Sequence, residues 1–352
     1  MIRLAILPGD GIGGEVLAGP IEILERLAVE GRVAITGPWP VGASAYLETG
    51  EGLPAETLAA CEAAAAILFG AVGDHPGFDA REYRPELALL HLREHFDLRI
   101  SIRQIWRGQQ APLTIVRNLL GGAYGTAETR QESDGRQPAV DQFRLTPEQI
   151  QEVVEIACDY GDETGALVSV DKANLLATSR LWRRIATQVT EQRALACRHL
   201  YVDQCAYELG KHGLKESVLV TEGLFGDILS DLAAAQAGSI ALCSSASVNP
   251  SQKGCCVGLF EPLHGTAPKM AGKGIANPTG GYLALAAAFE WFPPTAELAL
   301  VLRKALTQAL EDGPVPGDIA ARGAPVATTV EFARHVNEVF FELMGEENRP
   351  TI

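Results

Sequence analysis

Two aspartates four residues apart carry the strongest chemical signal in this 352-residue chain. Asp227 and Asp231 stand in the segment GDILSD, and on an α-helix this spacing places both carboxylates on one face. Like charges at this spacing repel, so either a cation joins them or they form a solvated acidic helix face. Asp203 adds a third carboxylate, with no matching His or Cys cluster. Oxygen ligands of this kind favour a hard cation, Mg²⁺ or Mn²⁺.

One lysine, three arginines and one tyrosine could act on a substrate near such a cation. Lys172 follows the apolar run ALVSV and Asp171, at the end of a predicted strand, where α/β sheets bind ligands. It could serve as a general base, or it could be an ordinary surface lysine. Arginine binds carboxylates through paired hydrogen bonds, so a dicarboxylate substrate or routine ion pairs would both explain Arg93, Arg103 and Arg117. The turn GGAYG, whose glycines would allow close approach of a ligand, contains Tyr124.

Two glycine-rich segments are candidates for binding a nucleotide. Residues 9–14 (GDGIGG) lie between a predicted strand and a predicted helix and satisfy the Rossmann pattern G-x-G-x-x-G, with Glu30 near the position of a ribose-binding acid. Asp10 favours a tight structural turn instead, because its negative charge would stand where a pyrophosphate must bind. Residues 261–278 are rich in Gly and Pro and contain His264, which favours a loop shaped around a ligand.

Alternating apolar runs and amphipathic stretches predict the elements that position these side chains. Buried strands are predicted at 3–7, 63–72, 112–117 and 216–222. Helices are predicted at 15–29, with an interruption near Pro20, and at 147–164 and 296–311. This alternation predicts an α/β fold with much parallel sheet. The polar residues 126–142 are either an exposed loop or an arm that contacts another subunit.

Composition excludes several classes of protein. The length predicts two domains or one large domain, and a chain that is 47% hydrophobic and 21% charged is an ordered globular one. A net charge of −15 argues against a nucleic-acid or anionic-membrane partner. The apolar stretches are too short to span a membrane. Seven irregularly spaced cysteines, without a signal-peptide pattern, predict reduced thiols in a cytoplasmic protein.

Six motifs occur in order along nearly the whole chain: LPGDGIG, GAVG, VDKAN, GDILSD, HGTAP and GKGIANP. Together they resemble those of the β-decarboxylating dehydrogenases, the family of 3-isopropylmalate, isocitrate, homoisocitrate and tartrate dehydrogenases. The resemblance implies an oxidoreductase with two α/β domains around a cleft and central, mostly parallel sheets, distinct from the Rossmann fold. It implies a discontinuous cofactor-binding domain (1–100 and 237–352) and a dimerisation and metal/substrate domain (101–236). The arm near 126–142 would help to form a homodimer.

The resemblance also implies a role for each candidate residue. The divalent metal would be bound by Asp203, Asp227 and Asp231. The substrate carboxylates would be bound by Arg93, Arg103 and Arg117. Lys172 would take the proton of the 2-hydroxyl group and Tyr124 would protonate the enolate carbon, with Lys172 and Asp203 supplied by the partner subunit. The dinucleotide would contact Ile12, Asn174, His264, Gly265, Thr266, Ala267, Lys269, Asn277 and Arg322.

The segment RPELALL bears on the substrate. Glu86 would repel a third carboxylate while Leu89 and Leu90 offer apolar contact, which predicts 3-isopropylmalate or a related 3-alkyl- or 3-arylmalate. Isocitrate-, homoisocitrate- and tartrate-type activities, or a noncatalytic regulatory subunit, are the alternatives. For the cofactor, Lys269 stands where NAD-using isopropylmalate enzymes commonly have Asp. Its charge would attract a 2′-phosphate, with Arg322 as a further basic contact, which favours NADP⁺, with NAD⁺ or use of both cofactors as the alternative.

Overall fold

A computed structural model describes residues 1–74, 83–108, 110–123, 130–131, 139–214, 217–252 and 257–347. The chain divides into two compact units, which we call unit 1 (Met1–Asp97 with Gly238–Ile352) and unit 2 (Leu98–Ala237). In each unit a mostly parallel set of strands is accompanied by helices. The predicted α/β class is therefore confirmed.

Unit 1 begins with alternating strands and helices. Its first elements are β1 (Ile2–Gly9), α1 (Gly13–Val29), β2 (Val33–Thr36), α2 (Ala43–Thr49), α3 (Ala55–Glu62), β3 (Ala66–Ala71) and α4 (Glu86–His95). Strand β1 pairs in parallel with both β2 and β3, and every residue of β3 is buried. The strands predicted at 3–7 and 63–72 are thus present, because continuous apolar runs suit a strand that is covered on both faces.

Unit 2 is built around five strands in the order β4-β5-β10-β8-β9. Its elements are β4 (Ile100–Arg107), β5 (Gln110–Asn118), β6 (Arg130–Gln131), β7 (Val140–Asp141), α5 (Pro147–Thr164), β8 (Ala166–Asp171), α6 (Ala177–Gln192), β9 (Ala196–Tyr201), α7 (Val202–His212), β10 (Val218–Thr221) and α8 (Gly223–Ala237). Strands β4 and β5 are antiparallel, and the other pairs are parallel. Helix α5 has the bounds that the sequence predicts, because a capping box of Thr146 and Gln149 begins it and left-handed Gly165 ends it.

The chain returns to unit 1 for its last elements. These are β11 (Cys243–Val248), β12 (Gly258–Pro262), α9 (Thr279–Trp291), α10 (Ala296–Asp312), β13 (Val315–Pro316), β14 (Val326–Ala327) and α11 (Thr329–Glu347). The strand order in this unit is β2-β1-β3-β12-β11, and only β11 runs antiparallel to its neighbour. Helix α9 is buried over nearly its whole length and packs on β12, α1 and α10.

Helix α1 does not break at Pro20, so the predicted interruption is wrong. Proline removes one N–H, and the carbonyl of Val16 consequently loses its intrahelical partner. Helix α9 crosses closely at this place: a Cβ added to Gly281 would lie 2.4 Å from that carbonyl oxygen. Gly19 is just as tightly covered, because its added Cβ would lie 2.0 Å from the hydroxyl of Tyr282. The helix continues because this packing compensates for the missing hydrogen bond.

The predicted arm is described only in part, since residues 126–129 and 132–138 lie outside the described residues. Its described ends form a short antiparallel ladder in which Arg130 pairs with Asp141 and Gln131 with Val140. Val140 and Asp141 are exposed. These positions agree with a segment that is not part of the core, while contact with another subunit stays a prediction.

Candidate active site

The carboxylates of α8 approach two arginines of the neighbouring strands. Oδ1 of Asp227 lies 2.9 Å from Nη2 of Arg103 and 3.0 Å from Nη1 of Arg117. Oδ1 of Asp231 lies 4.0 Å from Nη1 of Arg103. The repulsion between two carboxylates on one helix face is therefore offset by two cations from the same unit.

Both guanidinium groups are held in the interior by several contacts. Arg103 on β4 and Arg117 on β5 are only 9% and 4% exposed. Arg117 donates to the carbonyl oxygen of Gly223 at 2.8 Å, and Arg103 donates to the hydroxyl of Ser230. Gly226 makes this packing possible, because a Cβ there would lie 2.8 Å from Cβ of Arg117. The arginines are thus fixed in direction, as recognition of a planar carboxylate requires.

The donor set on α8 fits a hard divalent cation. It consists only of carboxylate oxygens, and the side chains of Asp227 and Asp231 are 41% and 66% exposed, so an ion can reach them. Asp203 does not complete this set: within the part of the chain that the structure describes, no three His, Cys, Asp or Glu side chains are grouped to hold a metal. A single chain therefore supplies at most two of the three predicted ligands, and the source of the third stays a prediction.

Lys172 and Asp203 form a second charged group in unit 2. Lys172 follows β8, Asp203 lies in the first turn of α7, and Nζ of the lysine is 2.6 Å from Oδ1 of the aspartate. The hydrogen bond from Lys172 lowers the pKa of the Asp203 carboxyl below its ordinary value. Nζ also lies 5.9 Å from the ring centre of Tyr201. The two residues that the resemblance assigns to the partner subunit's active site are therefore neighbours of each other.

The third predicted arginine has a different environment. Arg93 lies on α4 in unit 1, and its Nη2 is 2.9 Å from Oε1 of Glu261 on β12. Glu86, Leu89 and Leu90 precede it on the same helix, at spacings that place them with Arg93 on one side. Glu86 and Leu90 are exposed and Leu89 is half-buried. This side of α4 therefore presents one carboxylate, two apolar side chains and one ion-paired arginine.

The glycine-rich turn after β1 is a packing device. Gly9 and Gly11 have positive φ, and an added Cβ would lie 1.9 Å from the carbonyl oxygen of Ala71 and 2.1 Å from that of Thr266, respectively. The carboxylate of Asp10 is buried and accepts hydrogen bonds from the backbone N–H groups of residues 43, 44 and 73. Ile12, predicted to contact the cofactor, is buried and donates its N–H to the carbonyl of Thr266. This arrangement favours the structural turn over the Rossmann interpretation.

The segment from His264 to Ala267 has features that fit a bound dinucleotide. His264 is buried, which lowers its pKa, and its Nε2 has no hydrogen-bond partner among the described residues. A Cβ added to Gly265, or to the later glycines 272 and 274, would meet no described atom within 4 Å. Thr266 is buried, and Ala267 has a φ of 40°, a left-handed conformation that is strained for alanine. Nδ1 of His264 lies 3.0 Å from the carbonyl oxygen of Gly265, so Nε2 is the ring nitrogen that a ligand beside this open glycine backbone could bond.

The remaining predicted dinucleotide contacts in unit 1 differ in exposure. Asn277 is buried, and its Nδ2 lies 3.1 and 3.2 Å from the two carboxylate oxygens of Asp318. Lys269 and Arg322 are exposed, as a contact to a charged phosphate requires. Asp318 has no sequence signal beyond its place in PGDIAARG, and sequence reasoning missed it.

Tyr124 and Asn174 are the remaining predicted site residues of unit 2. Tyr124 lies outside the described residues. Gly122, two residues before it, has positive φ, and an added Cβ would lie 3.0 Å from Oε2 of Glu222. Burial raises the pKa of the Glu222 carboxyl, against the opposing effect of hydrogen bonds from the N–H groups of residues 224 and 225. Asn174 is exposed just after Lys172. Sequence reasoning also missed Glu222, because its burial depends on the fold.

Comparison with known proteins gives the family. The sequence pattern of the isocitrate/isopropylmalate dehydrogenase family matches residues 3–336. The 3-isopropylmalate dehydrogenase of Heyndrickxia coagulans is 35% identical, with 100% of this chain and 99% of that protein aligned. That of Zymomonas mobilis is 37% identical over 91% of this chain and 96% of that protein.

Solved structures give the same result. A β-decarboxylating dehydrogenase of Thermococcus kodakarensis superimposes with a TM-score of 0.81 at 30% identity, covering 100% of both chains. The isocitrate dehydrogenase of Methylococcus capsulatus gives 0.82 at 28% identity, covering 97% of this chain and 99% of that one. The sequence family and the fold together define a decarboxylating dehydrogenase.

The chain belongs to the isocitrate/isopropylmalate dehydrogenase family, which confirms the resemblance and the expected fold. It is an enzyme for oxidative decarboxylation of the isopropylmalate/isocitrate type, in a family that generally uses a divalent metal and NAD(P)⁺. No helix among the described residues is long and apolar enough to cross a membrane.

Proposed function

We propose that the chain oxidises and decarboxylates a 3-alkyl- or 3-arylmalate, with 3-isopropylmalate as the leading candidate, and reduces NADP⁺. The observation that carries this proposal is the convergence of two buried arginines on the carboxylates of α8. Arg103 and Arg117 supply fixed positive charge for the substrate carboxylates, while Asp227 and Asp231 offer oxygen ligands to a cation. A dicarboxylate with a metal-binding hydroxyl group matches this combination.

Arg103 and Arg117 orient the substrate, and Arg93 contributes from α4. When no substrate is bound, Asp227 compensates the positive charges of the two buried guanidinium groups. A bound substrate carboxylate would share their N–H donors with Asp227. With its ligands Asp227, Asp231 and Asp203 of the partner subunit, a divalent ion would supply Lewis-acid stabilisation of negative charge at the 2-oxygen.

Two groups of the chain move protons. The partner subunit's Lys172 takes the proton from the 2-hydroxyl group as C2 is oxidised to a 2-keto acid. NAD(P)⁺, when bound, would supply the acceptor for the hydride. The bond to the carboxylate at C3 then breaks, CO₂ leaves, and the bonding electrons form an enolate. Tyr124 delivers a proton to C3 and completes the product. Two different groups are needed because one step removes a proton and the other adds one.

The exposed side of α4 supports an apolar C3 substituent. Leu89 and Leu90 offer it hydrocarbon contact, and the charge of Glu86 disfavours the third carboxylate of an isocitrate-like substrate. Lys269 supports NADP⁺, because an exposed ammonium attracts a 2′-phosphate where an aspartate would repel it.

A homodimer is part of this proposal. Lys172 pairs with Asp203, and among the described residues Asp203 does not form a metal-binding group with Asp227 and Asp231, as expected if Lys172 and Asp203 serve a partner's site. Leu175, Tyr207 and Ile228 in unit 2 are 69%, 65% and 59% exposed. Unit 1 also exposes large apolar side chains, such as Leu300 at 63% and Val330 at 62%, so the pairing of Lys172 with Asp203 is the observation that supports the homodimer.

Steady-state kinetics with a panel of 3-substituted malates, isocitrate, homoisocitrate and tartrate test the substrate, with both cofactors and with metal-free protein. We expect the highest kcat/KM for a malate with an apolar C3 group, and loss of turnover after chelation that Mg²⁺ or Mn²⁺ restores. Mixed Lys172→Met and Tyr124→Phe subunits should regain activity that neither variant has alone. A preference for isocitrate, full activity after exhaustive chelation, or a fully active monomer in light scattering would each contradict the corresponding part of the proposal.

A further inference from the structure

The carboxylate next to Lys172 is buried and fully engaged. Asp171, the last residue of β8, is only 1% exposed. Its Oδ2 accepts from Nε of Arg183 at 2.8 Å and its Oδ1 accepts from Nη2 at 2.9 Å. Oδ1 also accepts from the backbone N–H of Ala173 at 2.8 Å. Asp171 therefore bonds a guanidinium through both oxygens and closes a turn around Lys172.

Arg183 is itself held in a fixed direction. Arg183 lies on α6, directly after the buried Trp182. The indole N–H of Trp182 donates to the hydroxyl of Ser169 at 3.2 Å, which anchors the helix at this position. The guanidinium carbon of Arg183 lies 5.0 Å from the ring centre of Tyr201. The hydrogen bond to Asp171 raises the pKa of Arg183, which stays charged throughout the working range. Helix α6 thus supplies a permanent, oriented cation to the end of β8.

This cation has a consequence for the lysine. A buried carboxylate beside Lys172 would otherwise attract the lysine ammonium, because a charge without a partner is costly in the interior. Arg183 satisfies that carboxylate, and Nζ of Lys172 instead bonds Asp203 at 2.6 Å. The hydrogen bond from the N–H of Ala173 and the two hydrogen bonds from Arg183 all end on the carboxylate of Asp171. Together they fix the backbone on both sides of the lysine.

We propose that Arg183, through Asp171, is a positioning residue that directs Lys172 toward the substrate hydroxyl group. The inference rests on the proposed role of Lys172 as the group that takes the hydroxyl proton. Arg183 does not touch the substrate. Its effect is on the orientation of a base, and a displacement of about 1 Å at such a group can cost roughly a hundredfold in rate.

The test compares two neighbouring arginines of α6. Arg183→Gln removes the charge and the pair of hydrogen bonds to Asp171. Arg183→Lys keeps the charge but cannot make two parallel hydrogen bonds. Arg184→Gln is the matched control, because Arg184 is exposed on the same helix. Lys172→Met calibrates the loss of the base itself. Each variant is assayed as the metal-loaded protein with the fastest malate of the panel, protonated or deuterated at C2.

We expect both Arg183 variants to lower kcat about tenfold to hundredfold with KM changed less than about threefold. The deuterium isotope effect on kcat should rise in both, as in Lys172→Met, because hydride transfer is coupled to removal of the hydroxyl proton. Arg184→Gln should match the wild type. A merely structural role would reduce the amount of active protein and leave KM and the isotope effect unchanged.

An unchanged isotope effect in both Arg183 variants, while Lys172→Met shows the increase, would overturn the positioning role and leave the proposed function intact. Wild-type rates and isotope effects in Lys172→Met would instead refute the assigned base, and the positioning role with it. Arg183→Lys keeps the test valid if Arg183→Gln does not fold, because it preserves the charge that Asp171 needs.

Discussion

The two aspartates of α8 should respond differently to loss of charge, although both are proposed metal ligands. Asp227→Asn removes the carboxylate that lies 2.9 and 3.0 Å from two buried guanidinium groups. Breaking a buried pair costs about 3–5 kcal/mol. The 41% exposure of Asp227 reduces this, so we expect the free energy of unfolding without metal to fall by roughly 2–3 kcal/mol.

Asp231→Asn is the matched comparison. Its side chain is 66% exposed and 4.0 Å from Arg103, so its loss should cost at most about 1 kcal/mol. Both variants should nevertheless weaken Mn²⁺ binding by at least about tenfold, because each removes one charged oxygen donor from the ion.

Denaturant unfolding in EDTA, followed by circular dichroism at one fixed protein concentration, measures the stability difference. Titration with Mn²⁺, followed by electron paramagnetic resonance of the free ion, measures metal affinity without turnover. Equal losses of stability in the two variants would refute the ion-pair reasoning. Unchanged Mn²⁺ affinity in Asp231→Asn would remove Asp231 from the proposed ligand set.

Three further outcomes follow from individual residues. Lys269→Asp should shift the ratio of kcat/KM for NADP⁺ over NAD⁺ toward NAD⁺ by about tenfold to hundredfold, and an unchanged ratio would show that this lysine does not select the cofactor. Gly281→Ala should lower the free energy of unfolding by about 1–3 kcal/mol, because its Cβ would clash with α1. Gly345→Ala on α11 has open space around it and should raise the free energy of unfolding by about 0.5–1 kcal/mol. A change in the same direction in both variants, measured by thermal or denaturant unfolding, would contradict this. Burial lowers the pKa of both His199 and His264, so their contribution to stability is complete above pH 6.5 and is lost as pH falls toward their pKa values in the folded protein. The free energy of unfolding, measured from pH 7.5 to 5, should show that decline, and its dependence on pH should be weaker in His264→Gln.

Much of the secondary structure could be predicted from local patterns. Helix α5 follows from the period of its apolar residues, its capping box and its terminal glycine. Strands β3 and β10 follow from short apolar runs of the kind that a sheet buries on both faces. These features depend on residues close in sequence, so no knowledge of the fold is required. The interruption at Pro20 was wrong for the complementary reason, because a contact with α9, far along the chain, maintains α1.

The sequence by itself determined which side chains are available for chemistry. The motifs around Asp227, Lys172 and His264 indicate the family, and the family comparisons support the same assignment. Spacing alone places Asp227 and Asp231 on one helix face, because the helical repeat is a local property. The Rossmann-like pattern that begins at Gly9 could not be interpreted from the sequence alone. A short motif does not reveal whether its glycines approach a ligand or a neighbouring strand.

Only the tertiary structure decided which charges are partners. Arg103 and Asp227 lie on different elements of unit 2, and Arg93 pairs with Glu261, a residue far along the chain in unit 1. Asp171 and Arg183 form a bidentate pair because α6 packs beside the end of β8. Coulomb and hydrogen-bond energies fall steeply with distance, and distances between remote segments are set by packing of the core. The residue types follow from the sequence, while their pairing, burial and direction follow from the fold.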